Sequence, residues 1–195
     1  MTFQPYSVSV SLLRQFCFCP RIPYFHMVAK INPATPLWVQ QGIDHHARIE
    51  RLMRRRTLSR FGISHAETCF NVKLVSERYA LHGTADMILV GEDQVIPVEF
   101  KERMPNSQRG VITQLMAYGL LAEEQFGKPF RRAIVLLGEN GKIITFENEK
   151  NHYALFEETR KRLMAIIGNE SFPDSDSTAS KCGQCEYIKY CNDRF

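Results

Sequence analysis

Apolar residues recur at two different periods along this chain, and the change of period divides it. Between Leu37 and about Thr57, Ile43, His46, Ala47, Ile49, Glu50 and Met53 recur at three- and four-residue spacing, which predicts a helix. After Gly62 the texture becomes that of strands. Thr68 to Val75 and Tyr79 to Val90 read as a hairpin, Gly91-Glu92-Asp93 turns the chain, and Val95 to Lys101 is a third strand. Gln108 to Phe126 returns to helical spacing and stops at Gly127. Arg131 to Leu137 is an apolar strand that Gly141 turns into a short partner, Lys142 to Phe146. Glu149 to Ile167 is a further helix, ended by Gly168. Ahead of all this, Ser9 or Ser11 caps a short helix running to about Phe18, after which Pro20, Pro23, Pro33 and Pro36 break the chain. Ser171 to Lys181 is a polar linker with little tendency to order by itself. Helix, three-stranded meander, helix, strand predicts an α/β core with a mixed sheet, flanked by terminal pieces. The expected boundaries are 1–36, 37–170 and 171–195, with no internal repeat.

Composition narrows the class without deciding the function. A hydrophobic fraction of 44% and a charged fraction of 24% over 195 residues are ordinary for a globular protein with one core. No stretch approaches the roughly 18 apolar residues of a membrane span. The first ten residues lack a basic region followed by an apolar core, so no signal peptide is read and a cytoplasmic location is expected. Net charge is +4, which permits nucleic acid as a partner and proves nothing alone. Arg48, Arg51, Arg54, Arg55, Arg56 and Arg60 crowd one segment, and Arg131 and Arg132 form a smaller cluster. Each reads equally well as a solvated face.

The six cysteines change the picture more. In a reducing compartment they point to metal or redox chemistry rather than to structural disulfides. Cys182, Cys185 and Cys191 form a C-x-x-C-x5-C cluster, one ligand short of a closed four-sulfur site. Cys19, in a Cys-Pro-Arg context with Pro20 and Arg21, is the expected fourth, and Cys17 is its rival. Four thiolates suit either iron–sulfur or zinc, and spacing does not separate them. Lys181, Lys189 and Arg194 nearby are candidate phosphate contacts or simple solubilising charges. Cys69, within a strand, reads as a buried hydrophobic residue.

A second constellation is carboxylate-based. In Val98-Glu99-Phe100-Lys101 the alternation of a strand puts Glu99 and Lys101 on one face and Val98 and Phe100 on the other. Alone, Glu-x-Lys reads as a surface ion pair. Upstream, however, Gly83-Thr84-Ala85-Asp86 leads into the apolar run Met87 to Val90, where an unpaired acid is costly. A tight turn joins the two strands, so Asp86 and Glu99 can meet. Two converging carboxylates repel unless a cation relieves them, and Mg²⁺ or Mn²⁺ is the natural choice. His46, in step with Ile43, Ile49 and Met53, is a candidate third ligand, whereas His45 is expected to face away to the surface. Gln114 and Tyr118 share a helix face and would project an amide and a phenol over the carboxylates.

Taken together, these residues resemble the RecB-like exonucleases of the PD-(D/E)xK superfamily. The elements stand in order: Gly42-x-x-x-His46, Gly83-Thr84-Ala85-Asp86, Glu99-Phe100-Lys101 and Gln114-x-x-x-Tyr118. With the cysteines, the chain is similar over essentially its whole length to the compact CRISPR-associated members, the Cas-four family. It departs at Phe16, where a tyrosine is expected, and at the extra thiol Cys17.

The resemblance implies a PD-(D/E)xK core whose N- and C-terminal helical pieces are joined by an iron–sulfur cluster. That cluster, preferably 4Fe-4S, would rest on Cys19, Cys182, Cys185 and Cys191. It implies that His46, Asp86 and Glu99, with the Phe100 carbonyl, hold Mn²⁺ or Mg²⁺. Lys101 would orient the attacking water or stabilise developing charge; with a reference pKa of about 10.4 it is a poor base. Gln114 and Tyr118 would position the strand. The implied activity is exonucleolytic hydrolysis of single-stranded or partly duplex DNA, processing prespacers with the CRISPR integrase complex. The alternative is an adaptor that binds DNA ends without cutting them.

Overall fold

The computed structural model of the chain describes residues 7–34, 37–105, 107–175 and 177–191, and for 37–41 and 43 the backbone alone. Arg194 and the side chain of Ile43 lie outside the described residues. In chain order the elements are β1 (Val8–Ser9), α1 (Val10–Phe18), the short α2 (Arg21–Pro23), a π-helical stretch (Tyr24–Val28), α3 (Leu37–Met53) and a 3-10 turn (Leu58–Phe61). They continue with β2 (Glu67–Ser76), β3 (Leu81–Val90), β4 (Val95–Lys101), α4 (Arg109–Phe126), β5 (Arg132–Leu137), β6 (Lys142–Glu147), α5 (Lys150–Asn169) and α6 (Ala179–Cys182). No helix among the described residues is long and apolar enough to cross a membrane.

The sheet is mixed, as its sequence pattern predicts. β2, β3 and β4 form an antiparallel meander, β5 returns parallel to β4 after the α4 crossover, and β6 pairs antiparallel on the outside. β4 is central: from Val95 through Phe100 every residue is buried, including Glu99. One face carries the larger core, where Val95, Ala133 and Val135 meet α1, α4 and α5. The other face buries Ile96, Val98 and Phe100 beneath Ile49 and Met53 of α3 and Phe61.

Several boundaries differ from the pattern. Ser9, not Ser11, caps α1, its hydroxyl accepting from the Leu12 amide at 3.1 Å. Pro20 and Pro23 do not leave an open chain, since α2 and the π-helical stretch are wound through them and bury Ile22 and Phe25, whereas Pro33 lies in irregular chain and Pro36 lies outside the described residues. α5 runs through Gly168 and ends two residues later at Glu170, which is left-handed at φ 50° and bonds back to the Ile166 carbonyl. A glycine inside a helix costs only about 1 kcal/mol, less than burial of Met164 and Ile166 returns. The polar linker closes into α6, capped by Thr178.

Gly119 lets α4 pack against Phe130. A Cβ there would run into the Phe130 ring. Gly119→Ala is therefore expected to destabilise the fold by about 1–3 kcal/mol through overpacking, outweighing the roughly 1 kcal/mol that alanine gains in a helix. A melting temperature at or above wild type would contradict this.

Candidate active site

The site begins with a gap in hydrogen bonding along β3. β2 occupies one edge of β3 along nearly its whole length. On the other edge β4 pairs only with Met87 to Val90, and β1 only with Leu81 and His82. Gly83, Thr84, Ala85 and Asp86 thus face an opening between β1 and β4. The Thr84 carbonyl is satisfied there by the Tyr118 hydroxyl at 2.9 Å, and the Phe100 amide by Asp86 Oδ2 at 2.8 Å. In a strand the N–H and C=O of one residue point to the same side. The Phe100 carbonyl accordingly faces the opening, while the next carbonyl, Lys101, points to the β5 side and accepts from Gly138 at 2.8 Å.

A local distortion aims Asp86 into this opening. The β2–β3 ladder skips one pair, Asn71 opposite Asp86, and Asn71 is left-handed at φ 51°. Asparagine tolerates that region better than most residues. The alternation of faces breaks at this point, since Ala85 and Ile88, three residues apart, both join the α4-side core. Asn71 was missed in the sequence. An asparagine of low strand propensity inside an otherwise regular strand was the available signal.

His46, Asp86, Glu99 and Lys101 stand on one cleft. His46 Nδ1 lies 2.9 Å from Asp86 Oδ1, and its ring meets Phe100 edge-on with centroids 6.0 Å apart. Glu99 Oε1 accepts from Lys101 Nζ at 2.6 Å and from Gln114 Nε2 at 3.0 Å, while Lys101 Nζ also reaches Gln114 Oε1 at 3.3 Å. These groups line a cleft of about 670 Å³ whose far wall carries Arg14, His26, Glu186 and Tyr187. Gly83 gives Tyr118 its place: a Cβ there would lie 2.9 Å from Tyr118 Cε1 and 3.1 Å from its hydroxyl.

The electrostatics follow from burial and from the clustered carboxylates. Burial, then the Asp86 charge, pushes the Glu99 carboxyl above its usual range, with Lys101 opposing. For His46 burial acts downward, but the hydrogen bond and charge of Asp86 outweigh it and the imidazole is raised. Burial and then the Glu99 and Asp86 charges push the Tyr118 phenol up, so it remains a neutral donor.

One expectation about this region needs correction. His45 does not face solvent. It is buried at 6% exposure, and burial, then the charge of neighbouring His46, lowers its pKa. His46 is the more exposed of the two, its side chain 38% accessible, because its ring turns toward the open cleft rather than into the core. Among the described residues no group of three or more His, Cys, Asp or Glu is already drawn together around one point. The carboxylates are spent on internal partners, Asp86 on His46 and the Phe100 amide and Glu99 on Lys101 and Gln114. The donor set itself, two carboxylates and an imidazole beside a backbone carbonyl, suits a hard divalent cation.

The cysteines divide cleanly. Cys19, Cys182, Cys185 and Cys191 line one cavity of about 250 Å³, walled otherwise by groups such as Ile22, Phe25 and Ile188. Cys17 lies elsewhere, its Sγ 3.6 Å from Thr113 Oγ1. Arg21, buried at 6% exposure, donates to the Pro173 carbonyl at 2.9 Å and to Cys191 Sγ at 3.4 Å. Four thiols around a small cavity beside a buried guanidinium fit a thiolate-bound centre. Cys69 is half-buried rather than buried and lies 3.6 Å from Glu67 Oε1. Tyr187, whose phenol burial pushes up to about 12, lines both the thiol cavity and the carboxylate cleft.

Most of the crowded arginines on and after α3 are bound to protein groups. Arg48 pairs with Glu139 and Arg54 with Glu50, while Arg56 and Arg60 donate to the carbonyls of Asn140 and Gly141.

Residues 36–192 match the family model of the PD-(D/E)XK nuclease superfamily. The chain is 35% identical over 188 residues, 96% of its length and 95% of the relative's, to the CRISPR-associated exonuclease Cas4 of Francisella tularensis subsp. novicida. It is 25% identical over 190 residues to the CRISPR-associated exonuclease Cas4 of Thermoproteus tenax, covering 95% of this chain and 93% of that one. Its fold superposes on the crystal structure of SSO0001 with a TM-score of 0.56, over 100% of this chain and 90% of that one, at 14% identity.

Proposed function

Because the chain belongs to the PD-(D/E)XK nuclease superfamily and, within it, to the CRISPR-associated Cas4 exonucleases, we propose that it shortens single-stranded DNA and thereby processes prespacers for the CRISPR integrase complex. The observation that carries this reading is the convergence of His46, Asp86, Glu99 and Lys101 on one cleft at the open edge of β3. Superfamily membership implies dependence on a divalent metal. His46, Asp86, Glu99 and the Phe100 carbonyl would hold Mn²⁺ or Mg²⁺, which when bound polarises a phosphate and lowers the pKa of water. The chain's own groups divide the remaining work. Lys101 places a cation beside Glu99, where it orients the attacking water and offsets charge developing on the phosphate. Gln114 fixes the rotamers of Glu99 and Lys101 by bonding both. Tyr118 props the unpaired Thr84 carbonyl and so keeps the strand edge open.

The thiol cavity belongs to architecture in this reading, since phosphodiester hydrolysis moves no electrons. An iron–sulfur cluster, preferably 4Fe-4S, or zinc would tie residues 19–25 to 182–191 through Cys19, Cys182, Cys185 and Cys191.

The test is digestion of end-labelled single strands of both polarities, with Mn²⁺ and with chelator, by wild type and Lys101→Ala. Wild type is expected to shorten one labelled end only with metal, and the variant to be slower by at least about 100-fold. Strands left equally intact by both, yet still bound, would instead support the end-binding adaptor.

A further inference from the structure

The cleft does not end at Lys101. Beyond it lies a smaller hollow of about 260 Å³ lined by Arg14, Lys101, Arg103 and Met104. That hollow shares Arg14, Met104, Pro105 and Val111 with a groove of about 580 Å³ between the end of α1, the start of α4 and the segment holding α6. Arg14 belongs to all three spaces, so they form one trough.

The lining of the groove is chemically one-sided. It contains Arg14 and Lys181, the hydroxyls of Ser107, Thr178 and Ser180, and no acidic residue. Among the described residues Arg14, Arg103 and Lys181 form no ion pair, and the Lys181 ammonium meets the Phe18 carbonyl at 3.4 Å and the Phe18 ring at 5.7 Å. This differs from the arginines around α3, several of which are held by Glu139, Glu50 and two carbonyls. The groove also receives the start of α4, which has no acidic residue in its first turn and, among the described residues, no side-chain cap, so its positive end lies at the trough. Cations, hydroxyls and apolar walls from Phe18, Met104 and Pro105 are what a single strand requires, with phosphates on the charges and bases against the apolar surface.

We propose that the substrate strand leaves the cleft over Lys101 and Arg103 and lies in this groove against Arg14 and Lys181, so that α1 and the cysteine-bearing segment hold the part of the strand not being cut. The proposal rests on the nuclease reading for its occupant, single-stranded DNA, but its test does not depend on cutting.

Binding of a fluorescent 12-nucleotide thymidine strand would be followed by anisotropy without added divalent metal, at several salt concentrations. Removing one phosphate-binding cation flattens the plot of log K against log salt by about 0.7 for single strands. The double variant Arg103→Gln, Lys181→Gln is expected to flatten it by about 1.4 and to bind about 25-fold more weakly at 0.1 M salt. Arg51→Gln with Arg55→Gln is expected to leave the slope unchanged. The reverse pattern overturns the path and moves the strand to α3. Photo-crosslinking wild type to 4-thiothymidine strands guards against a misfolded variant: adducts in 103–107 and 178–184 are expected, and adducts confined to 48–60 refute the proposal. Abolished cleavage in Lys101→Ala leaves the strand path standing, and an unchanged slope defeats it even if the protein cuts.

Discussion

Glu99→Gln is expected to abolish strand cleavage in a protein that melts at or above the wild-type temperature at pH 7. The two halves of this result have separate causes. Glu99 is 3% exposed and sits between Lys101 Nζ and Gln114 Nε2, so the fold has removed an acid from water and returned two hydrogen bonds. A glutamine oxygen accepts the same two bonds without the cost of burying a charge. Lys101 is not stranded, since it opens onto the cleft and retains the Gln114 oxygen. Catalysis has no such substitute. A neutral amide donates little to a divalent cation and offers no counter-charge to Lys101. The fall in rate is expected to exceed the roughly 10–100-fold produced by changes to groups that merely support a metal ligand.

The pH dependence carries a definite sign. The folded state holds the Glu99 proton more tightly than the unfolded chain does, because burial and then the Asp86 charge raise its pKa. Ionised Glu99 therefore costs stability, and that cost appears as pH climbs from the unfolded value, about 4.3, through the raised folded one. Without added metal, the melting temperatures of Glu99→Gln and wild type should coincide below that window and separate above it, the variant being higher. A variant that melts well below wild type at pH 7 would mean that the Glu99–Lys101 pair holds the sheet together.

The alternation in Val95–Lys101 was enough to place Glu99 and Lys101 on one face, because a central strand buried on both sides keeps its period. The α4 spacing likewise put Gln114 and Tyr118 over them. What did not show was the partner of each group. Tyr118 reads as a phosphate ligand until the unpaired Thr84 carbonyl is seen to take its hydroxyl, and that unpaired position arises from where β4 and β1 stop pairing. His45 and His46 were exchanged in exposure because α3 meets the sheet near its splayed end. There the inward face of the helix looks partly into the cleft instead of the core. Asn71, though its low strand propensity was a signal, was missed for a related reason: what a left-handed residue does to the strand period shows only once its neighbour across the ladder is known. Spacing alone also left Cys17 and Cys19 level as the fourth thiol. A two-residue difference turns the side chain through more than half a helical turn, and the end of α1 at Phe18 sends Cys17 toward Thr113 and Cys19 toward the other three.

Cys182→Ser is expected to lower the melting temperature and DNA affinity together, with Cys19→Ser matching it and Cys17→Ser behaving as wild type. A structural thiolate site contributes roughly 10–16 kcal/mol when filled. Forfeiting even about 4 kcal/mol of that would lower melting by about 8–16 °C in a chain of this size. The segment such a centre would anchor reaches the cleft and the groove directly. Glu186 and Tyr187 follow Cys185 into the cleft wall, Tyr187 stacks on Phe25 at 5.6 Å, and Lys181 stands in the groove beyond. Those surfaces would loosen on loss of a centre held by the four thiols, whereas His46, Asp86, Glu99 and Lys101 stand on α3, β3 and β4 and would keep their positions. At low temperature and saturating DNA the folded fraction of Cys182→Ser should thus cut at a rate near wild type, while its dissociation constant rises at least about tenfold, equivalent to roughly 1.4 kcal/mol of binding. Iron and zinc content measured on the same samples identifies the centre. A Cys182→Ser protein that melts normally but cannot cut would place the thiols in the chemistry instead, and a Cys17→Ser protein that collapses would make Cys17 the fourth ligand.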